Sequence, residues 1–340
     1  MSASPRVSIV LPAKDQAPFI DDALRSLAKQ FEDPRELEVI VVDDGSDDGT
    51  GDLAAAHSAR LPLLRVLRNE VPRGLATARN QGLRLTSAPV VGYMDGDDWL
   101  APGHLETTER ALLELGVDFV RTDHVKVTGT KRELTRAPQA VRNRVLDPRD
   151  SILPDTHSTM VDYPYAWAGL FRRRLVERGL LDFPDGLFTA EDRPWIWRLF
   201  LQAESYAVVN SPGIMYRRGV ASSLTQIYDE RQLDFGKSFL QTFDVVAADR
   251  EAERWWPKVA RSFLAVAAHH RGRRHDMTTD VEARQSAAIT ACFEAMPPAV
   301  LASSFAALDW RRRKSLESLL PAGVATLVRA AKSNRKRAAA

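Results

Sequence analysis

The chain has 340 residues and a formal net charge of +2. That is long for one average domain and short for three, and the near balance of charge excludes a general bias toward polyanions, so no nucleic-acid partner is expected. With 44% apolar residues it can bury a sizeable core, and its single cysteine, Cys292, excludes an intrachain disulfide and suits a reducing compartment.

The opening stretch MSASPRVSIVLPAKD has an apolar run, Val7 to Leu11, that is short of a signal-peptide core of about 7–15 residues, so no leader is expected. VSIVLPA reads as a strand closed by Pro12. APFIDDALRSLAKQF follows with Phe19, Ile20, Ala23, Leu24 and Leu27 at helical spacing. ELEVIVVDDGSDDGT is a second buried strand that stops at Asp43, then turn chemistry, then a helix through GDLAAAHSAR. LPLLRVLRN is a third strand, GLATARNQGLRLT a helix, and APVVGYMDGDD a fourth strand. APGHLETTERALLELG is a helix and VDFVRTDHVKV a further strand. Residues 129 to 160 are polar and read as an excursion from the sheet. YAWAGLFRRRLVERG and AEDRPWIWRLFLQA read as helices, and YAVVNSPGIMYRR as strands.

Strands alternating with helices predict an α/β fold with a mostly parallel sheet and helices on both faces. From Asp229 onward the pattern is helical, with Pro257 expected to mark a boundary or kink. The expected layout is an α/β domain over residues 1–228, divided near 125 into two halves, and an all-helical region over 229–340. Cys292 lies in AITACFEAM, an apolar helical pattern that predicts a buried thiol. No run of about 18 apolar residues predicts a membrane span. The C-terminus carries Arg311, Arg312, Arg313, Lys314, Arg329, Lys332, Arg335, Lys336 and Arg337 against only Glu317. Two readings stand for it: a solvated end, or attraction to anionic lipid or an anionic polymer.

Ligands in such sheets bind outside the carboxyl ends of the strands. Pro12, Asp43–Asp44 and the cluster Asp95, Asp97, Asp98 all fall at such ends. Three carboxylates within four positions repel one another unless a cation offsets them. Mg²⁺ or Mn²⁺ prefers carboxylate oxygens and keeps open positions for phosphates, so one or two aspartates suffice. A lone Asp-x-Asp is a weak signal. Its place in a series of strand ends makes it stronger.

The ordered set VSIVLPA, EVIVVDDGSDDGT, RGLATARNQG, VVGYMDGDD, FTAEDRPWIWRL and YRRGVASSLT resembles the family 2 glycosyltransferases, inverting enzymes of the GT-A fold, over roughly residues 5 to 225. Within the family it is similar to bacterial enzymes that build or decorate cell-surface polysaccharide and wall teichoic acid. The resemblance implies that Pro12, Ala13 and Asp44 lie around the base, with Asp44 accepting from a uracil N–H, and that Asn69 touches it. It implies that Arg79, with Asn80 beside it, places the nucleotide, that Asp95 faces the ribose or donor sugar, that Asp97 binds Mn²⁺ or Mg²⁺, and that Asp98 supports them. Arg217 and Arg218 would reach the diphosphate. One departure stands out: the family often has Tyr-Asn after the proline, whereas this chain has Lys14-Asp15, which leaves the nucleotide's identity open.

An inverting transfer also needs a base on the acceptor hydroxyl. The resemblance assigns it to Asp192, with Glu191 positioning the sugar. Capping of the helix that follows is the plainer reading, since acidic residues and Pro194 suit a first turn, and the two roles are compatible. Trp167, Trp195 and Trp197 are candidate sugar-stacking platforms as well as candidate core. No histidine pair has trusted ligand spacing, and the run from His269 to His275 reads as a solvated turn.

The implied activity moves a sugar from a nucleotide-sugar donor, UDP-linked, to a glycopolymer or lipid-linked acceptor. It would take place in the cytoplasm or on the inner face of the membrane, with the basic tail making peripheral contact and the C-terminal helices available for homo-oligomers. Two rivals remain: a non-catalytic glycan-binding or scaffold protein that retains the fold, and a sugar nucleotidyltransferase. LPAKDQAP lacks the glycine- and lysine-rich loop of the latter.

Overall fold

The computed structural model describes residues 4–219, 229–273 and 277–329. They form two compact units. The first takes residues 4–151, 163–187 and 198–219, and the second takes 152–162, 188–197, 229–273 and 277–329. The boundary expected near residue 228, the tail beyond Arg329 and His275 lie outside the described residues.

The first unit is built on a nine-stranded sheet. Its strands are β1 (Val7–Ala13), β2 (Leu37–Asp43), β3 (Leu63–Arg68), β4 (Val90–Tyr93), β5 (Trp99–Leu100), β6 (Phe119–Thr128), β7 (Lys131–Thr135), β8 (Gly169–Arg172) and β9 (Tyr206–Arg217). Their order is β3-β2-β1-β4-β8-β6-β9-β5, with β7 forming a hairpin on β6. Pairing is parallel across β3-β2-β1-β4 and mixed beyond it. Every residue of β1, β2 and β4 is buried, which is why their sequences are nearly unbroken apolar runs. The helices that alternate with them are α1 (Ile20–Leu27), α2 (Thr50–Ala55), α3 (Leu75–Leu85) and α4 (His104–Leu115).

The stretch YAWAGLFRRRLVERG departs from its helical expectation. Residues 169–172 form β8, antiparallel to both β4 and β6, and only one turn, α5 (Arg174–Glu177), is helical. A Cβ on Gly169 would stand 2.0 Å from the Val120 carbonyl oxygen, so the strand approaches β6 as closely as only glycine allows. Further on, α6 runs from Asp192 to Gln202.

The second unit packs α7 (Asp234–Ala247), α8 (Ala252–Gly272), α9 (Thr279–Ala295), α10 (Pro298–Ala306) and α11 (Trp310–Leu316). Its core is aromatic: Phe263 meets Phe239, Phe243 and Phe293 edge-on at 5.2, 5.7 and 5.9 Å. Cys292 is buried and its thiol pushed up to about 12 by burial, as an inert packing group. Pro257 does not divide α8. The carbonyl it leaves without a donor belongs to the exposed Glu253, where water can serve it. Residues 269–272, expected in a turn, are the last turn of the same helix, and His270 stacks on Phe235 at 4.3 Å. Buried Lys258 anchors the segment 152–162 to α8 by donating to the His157 carbonyl at 2.7 Å and to Asp162, whose other oxygen accepts from Ser262. Among the described residues no single helix is long and apolar enough to cross a membrane.

Candidate active site

The site begins where β1 and β2 end side by side. Ala13 pairs with Asp43 in the parallel register, and its carbonyl accepts the Asp44 N–H at 2.8 Å. Pro12 is the penultimate residue of β1, buried against Val42. Gly45 turns the chain with a φ of 73°, and a Cβ there would meet the Pro72 ring at 2.8 Å. This turn and the 69–74 loop are tied by Asp44. Its Oδ1 accepts from Asn69 Nδ2 and the Arg73 N–H, and its Oδ2 from the Gly74 N–H, each at 2.8 Å. Both oxygens expected to face a uracil thus also hold the loop. Asn69 is fixed in turn by Gln81, which it faces at 2.9 and 3.1 Å. Lys14, standing where the family often has tyrosine, reaches the Gly45 carbonyl at 3.1 Å.

β4 ends at Tyr93, whose register partner is Val10, and the Met94 N–H bonds back to Val10. The acidic turn therefore hangs beside the end of β1. Asp95 accepts from Arg79 of α3 at 2.9 Å, so the predicted nucleotide-placing arginine and ribose-facing aspartate are one ion pair. Asn80 behaves differently. It clips the Phe183 backbone, donating to its carbonyl at 2.7 Å and accepting its N–H at 2.8 Å. Burial, reinforced by Asp95, pushes the Asp97 carboxyl up to about 6. Burial with Asp97 and Asp95 nearby raises Asp98 well above the carboxylate range. Asp98 Oδ1 accepts the Arg217 N–H at 2.7 Å, whereas its buried Oδ2 has no partner among the described residues.

Crowded, partly desolvated carboxylates with an unserved oxygen fit a divalent cation. No group of three or more His, Cys, Asp or Glu among the described residues forms a protein-only cage. Asp97 is the residue that would hold the ion, with ligand oxygens completing its shell.

Arg217 takes another place than its sequence suggested. Its Nε donates to the Asp97 carbonyl at 2.8 Å and its Nη2 to Asp22 at 3.2 Å. The guanidinium lies between the Phe19 and Trp99 rings, 4.8 and 4.6 Å from their centroids. It braces the acidic turn from β9. Arg218 points elsewhere, over the Tyr216 ring, and donates to its hydroxyl at 3.0 Å.

On the second unit, Glu191 and Asp192 open α6, with Glu191 buried and Asp192 partly exposed. The loop before them is strained: Ala190 has a φ of 61°, costly for a residue with a Cβ. The helical region holds it there. Ser238 donates to the Ala190 carbonyl at 2.6 Å, Thr189 to the Arg231 carbonyl at 2.8 Å, and the Phe188 N–H to Asp234 at 2.7 Å. Trp195 and Trp197 are fully buried, which removes them as sugar platforms. Trp167 is largely buried too, under a Tyr165 ring stacked on it at 4.7 Å. Gln81, Asp22, Phe19, Asp234 and Ser238 were not anticipated in these places, and all but Gln81 act through a partner more than forty positions away.

Comparison with known proteins bears on this arrangement. The family described as glycosyl transferase family 2 matches residues 8–179, half of the chain. EpsJ of Bacillus subtilis, described as an uncharacterized glycosyltransferase, is 31% identical over 225 residues, 66% of this chain and 64% of EpsJ. The chain thus spans less than two thirds of that relative. The succinoglycan biosynthesis protein ExoU of Rhizobium meliloti is 36% identical over 114 residues, 34% of this chain and 32% of its own. Among solved structures, residues 1–349 of S. aureus TarS in complex with UDP-GlcNAc match with a TM-score of 0.74 at 20% identity, covering 98% of this chain and 92% of that one. The mannosyltransferase PcManGT of Pyrobaculum calidifontis, solved with GDP-Man and Mn²⁺, matches at 0.51 and 20% identity, covering 97% and 85%. At such identities the likeness is one of fold, an α/β GT-A-like sheet with a helical C-terminal region.

Proposed function

The chain belongs to glycosyl transferase family 2, and from that premise we propose that it transfers a sugar, with inversion, from a UDP-linked donor to a hydroxyl of a cell-surface glycopolymer or lipid-linked glycan. The observation that carries the reading is the convergence of Ala13, Asp44 and the Asp95–Asp98 turn at the ends of adjacent parallel strands, with Arg79 from α3 joined to Asp95. The fold shared with TarS, solved with UDP-GlcNAc, supports a UDP-linked donor, and ExoU's part in succinoglycan biosynthesis supports a polysaccharide acceptor.

In this reading the Asp44 turn and Asn69 receive the base, while Arg79 orients Asp95 toward the ribose or sugar. Asp97 would hold Mn²⁺ or Mg²⁺, which when bound neutralises charge on the leaving diphosphate. Asp192 takes the acceptor proton as the new bond to the anomeric carbon forms. The old bond's electron pair leaves with the nucleoside diphosphate. Glu191 positions the sugar. A binder without turnover would have little reason to keep Asp44, Asp97 and Asp192 together, which favours the enzyme. The basic tail is proposed as a peripheral contact with an anionic surface.

The test is calorimetric titration with UDP, GDP, CDP and dTDP, each with and without Mn²⁺. Tight binding of UDP that requires the metal supports the donor site. Preference for another nucleotide reassigns the donor, and binding of none rejects the reading.

A further inference from the structure

Away from the acidic turn, a cavity of about 490 Å³ opens beside the β6–β7 hairpin, lined by Lys126, Thr128, Lys131, Glu133, Tyr165 and Arg218. Its charges are three cations and one carboxylate. Glu133 is engaged by Lys131 at 3.3 Å, but the Lys126 ammonium makes no hydrogen bond or ion pair among the described residues. Lys126 is half-buried on β6, so its unpaired ammonium sits on the wall of the cavity rather than out in bulk water.

One aromatic side chain, Tyr165, lines the cavity, and other rings pack around it. Tyr165 stacks on Trp167 at 4.7 Å, Tyr216 leans on both rings at 6.0 and 5.2 Å, and His124 meets Tyr165 and Trp167 edge-on at 5.0 Å each. The Tyr163 hydroxyl and His124 Nδ1 are joined at 2.5 Å, which fixes the cluster from behind. Arg218 lies over Tyr216 and lines the same opening. A flat ring face bordered by cations suits a ligand with an apolar ring surface and a negative substituent. A neutral sugar would leave Lys126 unserved, and a cation would be repelled.

We infer that this cavity is an acceptor subsite for a sugar unit bearing an anionic group, a phosphate or a carboxylate. The sugar ring lies on Tyr165, and Lys126, Lys131 and Arg218 meet the anion. The inference rests on the reading of the chain as a transferase with a glycan acceptor, and it makes that acceptor an acidic glycan. It also moves Arg218 from the donor diphosphate to the acceptor.

The experiment is an NMR titration of the full chain with glucose 6-phosphate, glucuronate, glucose and UDP–Mn²⁺, following the amides of Lys126, Thr128 and Arg218. Glucose 6-phosphate or glucuronate should move these amides and bind at least tenfold more tightly than glucose, and whichever acts names the anion. Lys126→Ala and, on the exposed hairpin, Lys131→Ala should each weaken that binding several-fold. Equal binding of glucose, or no response to either anion in the tens of millimolar, overturns the subsite. So does a response of the same amides to UDP–Mn²⁺, which would give the cavity to the donor. A wild-type chain that binds glucose 6-phosphate here but none of UDP, GDP, CDP and dTDP, with or without Mn²⁺, would keep the anionic-sugar site and reject the transferase reading.

Discussion

Arg217→Ala separates two roles that one arginine cannot fully serve at once, bracing the acidic turn or binding the donor diphosphate. The substitution removes a charge-assisted hydrogen bond to the Asp97 carbonyl, worth about 1.5–3 kcal/mol. It also removes two aromatic faces, worth about 0.5–1 kcal/mol each at a partly exposed site. The pair with the exposed Asp22 adds at most about 1 kcal/mol. The Arg217 N–H to Asp98 survives because it is backbone. A loss of about 3 kcal/mol follows, or a melting shift of about 6–12 °C for a unit of this size. Thermal unfolding followed by tryptophan fluorescence reads it, and calorimetry with UDP in the absence of metal reads the donor. The expected result is a lowered melting point with metal-free UDP affinity unchanged within twofold. An unchanged melting point together with tenfold weaker metal-free UDP binding would refute the bracing argument and return Arg217 to the diphosphate.

Further outcomes follow from the same site. Asp97→Asn should abolish the metal dependence of UDP binding, and calorimetry that finds it intact removes Asp97 as the metal ligand. Asp192→Asn should leave UDP binding unaltered and reduce transfer by at least a hundredfold, and a fully active variant excludes it as the base. Burial lowers His104, His124 and His270 to about 4 from an unfolded value of about 6.5. Their contribution to stability is therefore complete above pH 6.5 and lost as pH falls toward 4, at most about 3 kcal/mol each. Asp97 has the opposite sign, because its raised carboxyl favours the fold at low pH and that advantage fades as pH rises through about 6. Without cation, urea midpoints should fall on acidification, and more steeply in Asp97→Asn than in wild type. Deleting residues 329–340 should weaken sedimentation with anionic vesicles, and equal sedimentation makes the tail passive.

The ends of β1, β2 and β4 were legible because their signals are local. β1, β2 and β4 are short apolar runs, each closed by a proline or aspartate, so the strand ends and the carboxylates at them could be read together. β8 was not legible. Trp167, Leu170, Phe171 and Leu175 have helical spacing, and the partners that make residues 169–172 a strand lie on β4 and β6, more than forty residues away. Pro257 misled for a related reason: its cost depends on whether the orphaned carbonyl meets water, and exposure is a tertiary fact. The brace made by Arg217 was not legible because Asp22 and Phe19 stand almost two hundred positions earlier. The cavity beside the hairpin had no sequence signature, since Lys126, Tyr165 and Arg218 come from three separate stretches.

The loop that delivers Glu191 and Asp192 keeps its strained Ala190 only while Ser238, Asp234 and the Arg231 carbonyl grip it. Its shape is thus inherited from helices encoded some forty residues downstream. Exchanging the C-terminal region between relatives would not be a change of accessory: it would re-aim the carboxylates. Drift in α7 becomes a route by which the loop carrying Glu191 and Asp192 changes shape while the sequences of β1, β2 and β4 stay untouched.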